Sequence, residues 1–312
     1  MKMRLPENLL FWMAPLALAA LILLEPHTGG SPLPFPSSYS PQPQGAEAAY
    51  DWLAQAGYPV ERWLRPPQDL PAAAREYQLV ARDSDNYVSA RLRLAYIDFQ
   101  QGEKDQAFRL LAELKKAAPD RDDIYLTWAY FFEDERRWDR AIEVLKEGLE
   151  SNPRSEEIHF RLAVIYEKKK DLENSIKHIK IVLELDPENP DAQNFLGYSY
   201  ADAGIHLDEA ESLIRAALRA KPDSGYIVDS LGWLFYKKGQ IDRAVEELER
   251  AAKIMPQDGT VAEHLGDAYL KQKRPADALR TYRRALTLEN ANITELRKKI
   301  KNLESGAKGA GH

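Results

Sequence analysis

From Val88 onward, apolar residues recur three and four positions apart, the stripe of an amphipathic helix. A longer period lies over that stripe. Units that begin at Val88, Asp122, Glu156, Pro190, Gly225 and Gly259 are spaced by 34, 34, 34, 35 and 34 residues. The eighth position of each is small: Ala95, Ala129, Ala163, Gly197, Gly232 and Gly266. The twentieth is small too, once a residue inserted near His206 is allowed for: Ala107, Ala141, Ser175, Ala210, Ala244 and Ala278. Position seven is large and apolar (Leu94, Trp128, Leu162, Leu196, Leu231, Leu265), and Pro119, Pro153, Pro187, Pro222 and Pro256 close the first five units, with Asn290 in place of the sixth proline.

These columns predict two antiparallel helices per unit. Helices approach most closely where side chains are smallest, so positions eight and twenty mark the crossing. A larger side chain there overpacks at a cost of about 1–3 kcal/mol. The proline ends the second helix, because it has no N–H to donate and its ring clashes with the preceding turn. Gly102, Gly204 and Gly239 suit the turn inside the hairpin. Asn292 and Glu295 form a capping box for one more helix, with Ile293, Leu296, Ile300 and Leu303 on one face and Arg297, Lys298, Lys299 and Lys301 turned away to solvent. An apolar inner face with a basic outer one is what a helix closing the end of an array requires.

The period and columns resemble the tetratricopeptide repeat family, over residues 88–292. Asn194-Phe195-Leu196-Gly197-Tyr198 and Asp229-Ser230-Leu231-Gly232-Trp233 are similar to the versions found in Gram-negative envelope proteins. The resemblance implies an all-α, right-handed solenoid of six hairpins (88–121, 122–155, 156–189, 190–224, 225–258 and 259–292), a capping helix over 293–304 and a disordered tail over 305–312. It also implies a concave surface made by the first helix of each hairpin, faced by positions 2, 5, 9, 12 and 13. Position nine reads Tyr96, Tyr130, Val164, Tyr198, Trp233 and Asp267; position twelve adds Phe99 and Tyr236; position five reads Leu92, Leu126, Phe160, Asn194, Asp229 and Glu263. Aromatic rings on a rigid wall give large contact area at low entropic cost. The expected partner-binding groove is therefore Tyr96, Phe99, Tyr130, Phe160, Asn194, Tyr198, Asp229, Trp233, Tyr236 and Glu263. Some of these rings can instead pack between hairpins; on the groove reading, Trp233→Ala weakens partner binding more than stability. The basic clamp with which some family members hold a chaperone's C-terminal carboxylate has no match here, Asn194 being the only amide.

Ahead of the repeats the pattern changes. Lys2 and Arg4 precede a charge-free run from Asn8 to Leu24, about 25 Å long as a helix. It reads as a signal peptide or an uncleaved anchor, and the residues after Leu24 (Glu25-Pro26-His27) favour the anchor. Residues 1–24 are thus expected to be a single membrane helix, with the flanking positive charges inside and the repeats displayed in the periplasm. Prolines 32, 34, 36, 41 and 43 make residues 25–44 an extended tether. Helices are expected over Ala46–Ala56 and Ala72–Arg82, within a cap or degenerate repeat spanning 45–87. Ser37-Ser38-Tyr39-Ser40, Tyr50-Asp51-Trp52-Leu53 and Gly57 through Trp63 resemble the opening of a family of uncharacterised bacterial membrane proteins that continue into an amidotransferase-like domain. That α/β domain has no counterpart here, so the resemblance implies membrane topology and no activity.

Composition narrows the chemistry. The net charge of −6 argues against nucleic acid as partner. The absence of cysteine removes thiol catalysis, disulfides and thiolate metal sites. The six histidines show no metal-binding spacing; His159 and His178 could meet within the third hairpin but read as surface residues. No catalytic residue, metal or cofactor is expected. The expectation is a membrane-anchored scaffold that binds other proteins for envelope assembly or secretion. The alternatives are a periplasmic holder of unfolded chains and a non-catalytic accessory subunit; self-association stays open.

Overall fold

The computed structural model describes residue 74, residues 77–84 and residues 86–309, with side chains as far as Ser305. The expected membrane helix, the proline-rich tether and the helix at Ala46–Ala56 lie outside the described residues. Among the described residues there are thirteen helices and no strand, and no helix is long and apolar enough to cross a membrane. The chain forms two compact units, Met1–Pro119 and Asp120–His312.

The described part of the first unit is a helical hairpin, α1 (Tyr87–Gln100) and α2 (Lys104–Ala117). Ala95 and Ala107, the small pair, are fully buried at its crossing, with Leu94, Leu111 and Leu114 around them. Gly102, at φ +88°, makes the turn. Before the hairpin, Ala74, Tyr77 and Gln78 are helical and the chain turns at Leu79. The helix expected as far as Arg82 thus stops short: a turn over residues 81–84, closed by the Ser84 N–H donating to the Ala81 carbonyl, leads into α1, where the Asn86 N–H donates to Ser84 Oγ at 3.2 Å.

The second unit has five hairpins. They are α3/α4 (Asp122–Asp134, Trp138–Ser151), α5/α6 (Glu156–Lys168, Leu172–Leu185), α7/α8 (Pro190–Ala203, Leu207–Ala220), α9/α10 (Gly225–Lys237, Ile241–Ile254) and α11/α12 (Gly259–Lys271, Pro275–Ala285). A final helix, α13, runs Ile293–Gly309, past the Glu304 at which the sequence pattern ended it. The second helix of each hairpin packs on the first helix of the next, and α3 touches α5, as α7 touches α9 and α9 touches α11. The first helices therefore line up as a wall, backed by the second helices.

The seam inside each hairpin carries the fold. Ala129, Ala141, Ala163, Ser175, Ala210, Ala244 and Ala278 are all fully buried. The Ser175 hydroxyl donates to the Ala163 carbonyl at 2.9 Å, so the one polar residue in the column leaves no buried donor unpaired. A methyl added to Gly232 would sit 2.6 Å from Leu248 Cγ and 3.1 Å from the Leu248 nitrogen; on Gly197 it would meet Ile214 Cγ1 at 2.6 Å. The column is small because the facing helix occupies the space.

The hairpin turns share one left-handed residue, and the fourth adds a second, His206 at φ +47°. The fifteenth position of the unit is left-handed in all six hairpins: Gly102, Arg136, Lys170, Gly204, Gly239 and Lys273. Three glycines were legible as turn residues, whereas the three basic residues hold the same positive φ at a cost that glycine avoids. The second helices end two residues before each proline. Where Asn290 replaces the last proline, the chain pairs with the entry of its own hairpin: the Glu289 N–H donates to the Gln257 carbonyl and the Gly259 N–H donates to the Glu289 carbonyl. The Asn292 side chain accepts the Glu295 N–H at 3.2 Å, one half of the expected capping box.

Candidate functional site

The wall is built from helix faces that the seam leaves outward. In the second unit it holds Tyr130, Phe160, Asn194, Tyr198, Asp229, Trp233, Tyr236 and Glu263 of the sequence-predicted groove. Their exposures differ. Tyr130, Phe160, Tyr198, Tyr236 and Glu263 are half-buried, whereas Asn194, Asp229 and Trp233 are buried. Phe160 packs against Phe195, with ring centroids 5.8 Å apart, and belongs to the edge of the core. In the first unit Tyr96 is 43% exposed, while Phe99 is 4% exposed and stands edge-to-face on Phe108 of α2 at 6.3 Å. Phe99 therefore fills the hairpin rather than offering an open ring, because position twelve lies near the turn, where the second helix begins to cover it.

Trp233 is the clearest departure. Its indole lies between Tyr236 at 4.8 Å and His264 at 4.2 Å, nearly parallel to both, and its Nε1–H donates to Asp202 at 3.0 Å. Lys237 reaches the same carboxylate at 3.1 Å and lies 5.0 Å from the Trp233 ring. With 9% exposure, Trp233 braces α7, α9 and α11 together. Trp233 is therefore packed into the wall rather than open in the groove, which points to an effect of its truncation on stability as well as on binding.

His264 supplies the far side of that stack and was not expected on the wall. Its Nδ1 donates to Asp229 at 2.9 Å, and Tyr198 lies 6.4 Å from it between ring centroids. Burial pulls the imidazole pKa down, but the Asp229 carboxylate, with Asp267 and Glu263 behind it, outweighs that and the net shift is upward. The 35-residue separation of Asp229 and His264 is one repeat plus one residue, so they sit in different columns of the repeat alignment and no column flags the pair. Lys299 was expected in solvent. It donates instead to Glu263 at 2.7 Å and Asp267 at 2.8 Å, from α13, and its ammonium lies 5.6 Å from the Tyr282 ring.

The two histidines read as surface residues are in fact buried together between α5 and α6. Their Nδ1 atoms are 2.8 Å apart, and His159 Nε2 is 3.2 Å from the Pro153 carbonyl. A carbonyl only accepts, so His159 Nε2 carries the proton and its Nδ1 accepts from His178 Nδ1–H. Burial first, then His159, Lys177 and Lys146, lower the His178 pKa to about 4. Among the described residues no group of three His, Asp or Glu side chains could hold a metal ion.

The same chemistry surrounds Tyr198. Burial first, then the carboxylates of Asp202, Asp229, Glu167 and Glu263, push its hydroxyl pKa upward, so this part of the wall is aromatic and negative. It has hydrogen-bond acceptors and ring faces, but no nucleophile paired with a base.

Tetratricopeptide repeat models match residues 126–190, 173–225 and 230–292, just over half of the chain, and residues 89–121. This chain belongs to the tetratricopeptide repeat family. Over 80 residues it is 40% identical to the TPR repeat-containing protein PA4667 of Pseudomonas aeruginosa, a stretch covering 26% of this chain and 13% of that protein. The match thus spans about an eighth of that relative's length. Among solved structures, a tetratricopeptide repeat protein from Parabacteroides merdae aligns at a TM-score of 0.58 and 16% identity, over 83% of this chain and 96% of that one. PilW, a type IV pilus biogenesis factor, aligns at 0.57 and 16% identity, over 70% and 99%. A TPR protein of Thermus thermophilus aligns at 0.52 and 20% identity, over 59% and 98%. At these identities the likeness is one of fold. Repeats of this family serve as protein-interaction scaffolds.

Proposed function

We propose that the chain is a membrane-anchored scaffold whose first-helix wall, in residues 120–312, binds an extended segment or helix of a partner protein during envelope assembly or secretion. The observation that carries the binding reading is the patch around Tyr198: a half-buried ring and several carboxylates, held rigid by the Trp233 stack and set on five helices in register. Rigid aromatic and polar groups bind with little ordering cost. The membrane and periplasmic part rests on the apolar run and flanking charges at residues 2–24. The holder of unfolded chains gets less support, since large exposed apolar residues of the second unit (Ile205, Ile254, Leu270, Ile293) belong to separate helices or turns and the wall is polar.

The test is a crosslinking capture from detergent-solubilised membranes, comparing the native chain with a folded Tyr198→Ala, Tyr236→Ala variant. Loss of a discrete set of envelope proteins in the variant supports the wall; identical captures sink it. Recovery of the chain in the soluble fraction after cell breakage would sink the anchor alone.

A further inference from the structure

Between the last two hairpins, α10 and α12 flank α11 and leave a slot on the side away from the wall. Its volume is about 230 Å³, and Asp258, Ala262, Leu265 and Tyr269 of α11 run along its floor, about 16 Å of helix. A cavity of about 150 Å³ holds a compact ring such as benzene. Half as much again, drawn out over this length, has room for one unbranched chain rather than a ring. Ala262 and Leu265 on the floor are buried, whereas Pro256, Arg280 and Arg284 on the rim are exposed, so the slot is open to solvent.

The slot exists because this junction departs from the one before it. One repeat earlier, the positions of Ala252 and Ala262 carry Leu218 and Val228, which pack in one apolar cluster. Alanine in both places leaves the space. The charge departs as well, since Glu246 and Glu247 of α10 correspond to Arg280 and Thr281 of α12. Arg250 pairs with Glu247 at 3.5 Å and donates to the Pro222 carbonyl at 2.9 Å. Arg284, its counterpart, keeps only the second of these, donating to the Pro256 carbonyl at 2.9 Å, and makes no ion pair among the described residues. Arg280 stands one turn away on the same side of α12 and pairs with Asp277. The Asp258 carboxylate at the end of the slot is taken up by the Thr260 and Val261 N–H groups and the Asn290 amide. An apolar floor one chain wide thus lies beneath a guanidinium that lacks a counter-ion.

We propose that this slot binds a single-chain anionic amphiphile, a fatty carboxylate, with the chain laid along α11 and the carboxylate on Arg284. The site is separate from the wall and does not depend on it. The guanidinium has five donors, so the bond to Pro256 leaves others for the carboxylate. A charge-assisted pair of this kind contributes about ten- to hundredfold in affinity. A two-chain phospholipid exceeds the width of the slot.

The experiment holds the full chain in a steroid-based detergent, whose fused rings are wider than the slot. The chain is titrated with cis-parinarate, a linear fluorescent fatty acid, which is then displaced with dodecanoate, dodecanol or dihexanoyl phosphatidylglycerol. Dodecanoate should displace it, dodecanol should do so about tenfold or more weakly, and the phospholipid should not. Two variants copy the preceding junction and so carry residues this fold already accommodates. Ala252→Leu with Ala262→Val fills the floor, and Thr281→Glu gives Arg284 a carboxylate; both should melt no lower than the native chain. The first should abolish parinarate binding. The second should weaken dodecanoate about tenfold or more and leave dodecanol unchanged. No fluorescence gain with the native chain, or an equal gain with the filled variant, overturns the site. Equal affinity for dodecanoate and dodecanol, or indifference to Thr281→Glu, overturns the anionic head group. Displacement by the phospholipid at the concentrations that suffice for dodecanoate overturns the single chain.

Discussion

Residues 120–312 have two kinds of interior surface, and they obey different rules. The seam inside each hairpin is apolar, tight and repeated, with each small residue facing a helix that leaves it no room. The wall of first helices is polar, aromatic and different in every repeat. Side chains there are satisfied by the neighbouring hairpin: Asp229 by His264, Asp202 by Trp233 and Lys237, Glu263 by Lys299. The seam repeats because packing sets it, whereas the wall varies from repeat to repeat. On the proposed function, that variation is where recognition of a partner would sit.

The sharpest challenge to that division is Trp233, which stands on the wall but is stacked and hydrogen-bonded like a core residue. Trp233→Ala should cost about 3–5 kcal/mol, as aromatic truncations in cores do, read as a clear fall in melting temperature. A change within error would return Trp233 to the open groove. Ala244→Leu tests the seam. It should cost about 3 kcal/mol, and full retention of stability would mean that the crossing has slack. Gly232→Ala should destabilise by less, because relief of the glycine penalty of about 1 kcal/mol offsets part of the clash with Leu248.

The two histidine pairs sharpen the comparison through pH. His178, inside a hairpin, has its pKa lowered to about 4 from the ordinary 6.5. The unfolded chain binds that proton first, so stability is complete above pH 6.5 and falls as pH drops toward 4, by on the order of 3 kcal/mol. His264, on the wall, is shifted upward, so its contribution is complete below pH 6.5 and fades as pH rises through its folded value. Urea unfolding of His178→Phe and His264→Gln between pH 4.5 and 8.5 separates the two. The first variant should lose part of the acid sensitivity, and the second should lose the fading at high pH. The same slope in both variants would contradict the assignments. The smallest effect belongs to the turns: Lys170→Gly should stabilise by about 1 kcal/mol, since Lys170 holds φ +60°.

The sequence shows the seam well because packing acts on the same position in every unit. Ala95 through Ala278, the glycines and the prolines all line up for that reason. Even the left-handed turn was half visible, in Gly102, Gly204 and Gly239, and hidden at Arg136, Lys170 and Lys273, where the backbone overrides side-chain preference. The wall was legible as a set of positions and illegible in its pairings. Asp229 with His264 and Glu263 with Lys299 connect different columns across repeats, and only three-dimensional register brings them together. Burial of His159 with His178 was missed because histidine carries no apolar signal in a pattern reading, although the 19-residue spacing places both in one hairpin.

The central claim is that the wall, and not the outer face of the second helices, meets the partner. A photoreactive amino acid placed at Tyr198, and separately at exposed Arg219 on α8, tests it in intact cells. A discrete crosslinked species from Tyr198, absent from Arg219, is the predicted result. The same species from Arg219 with none from Tyr198 would contradict the account.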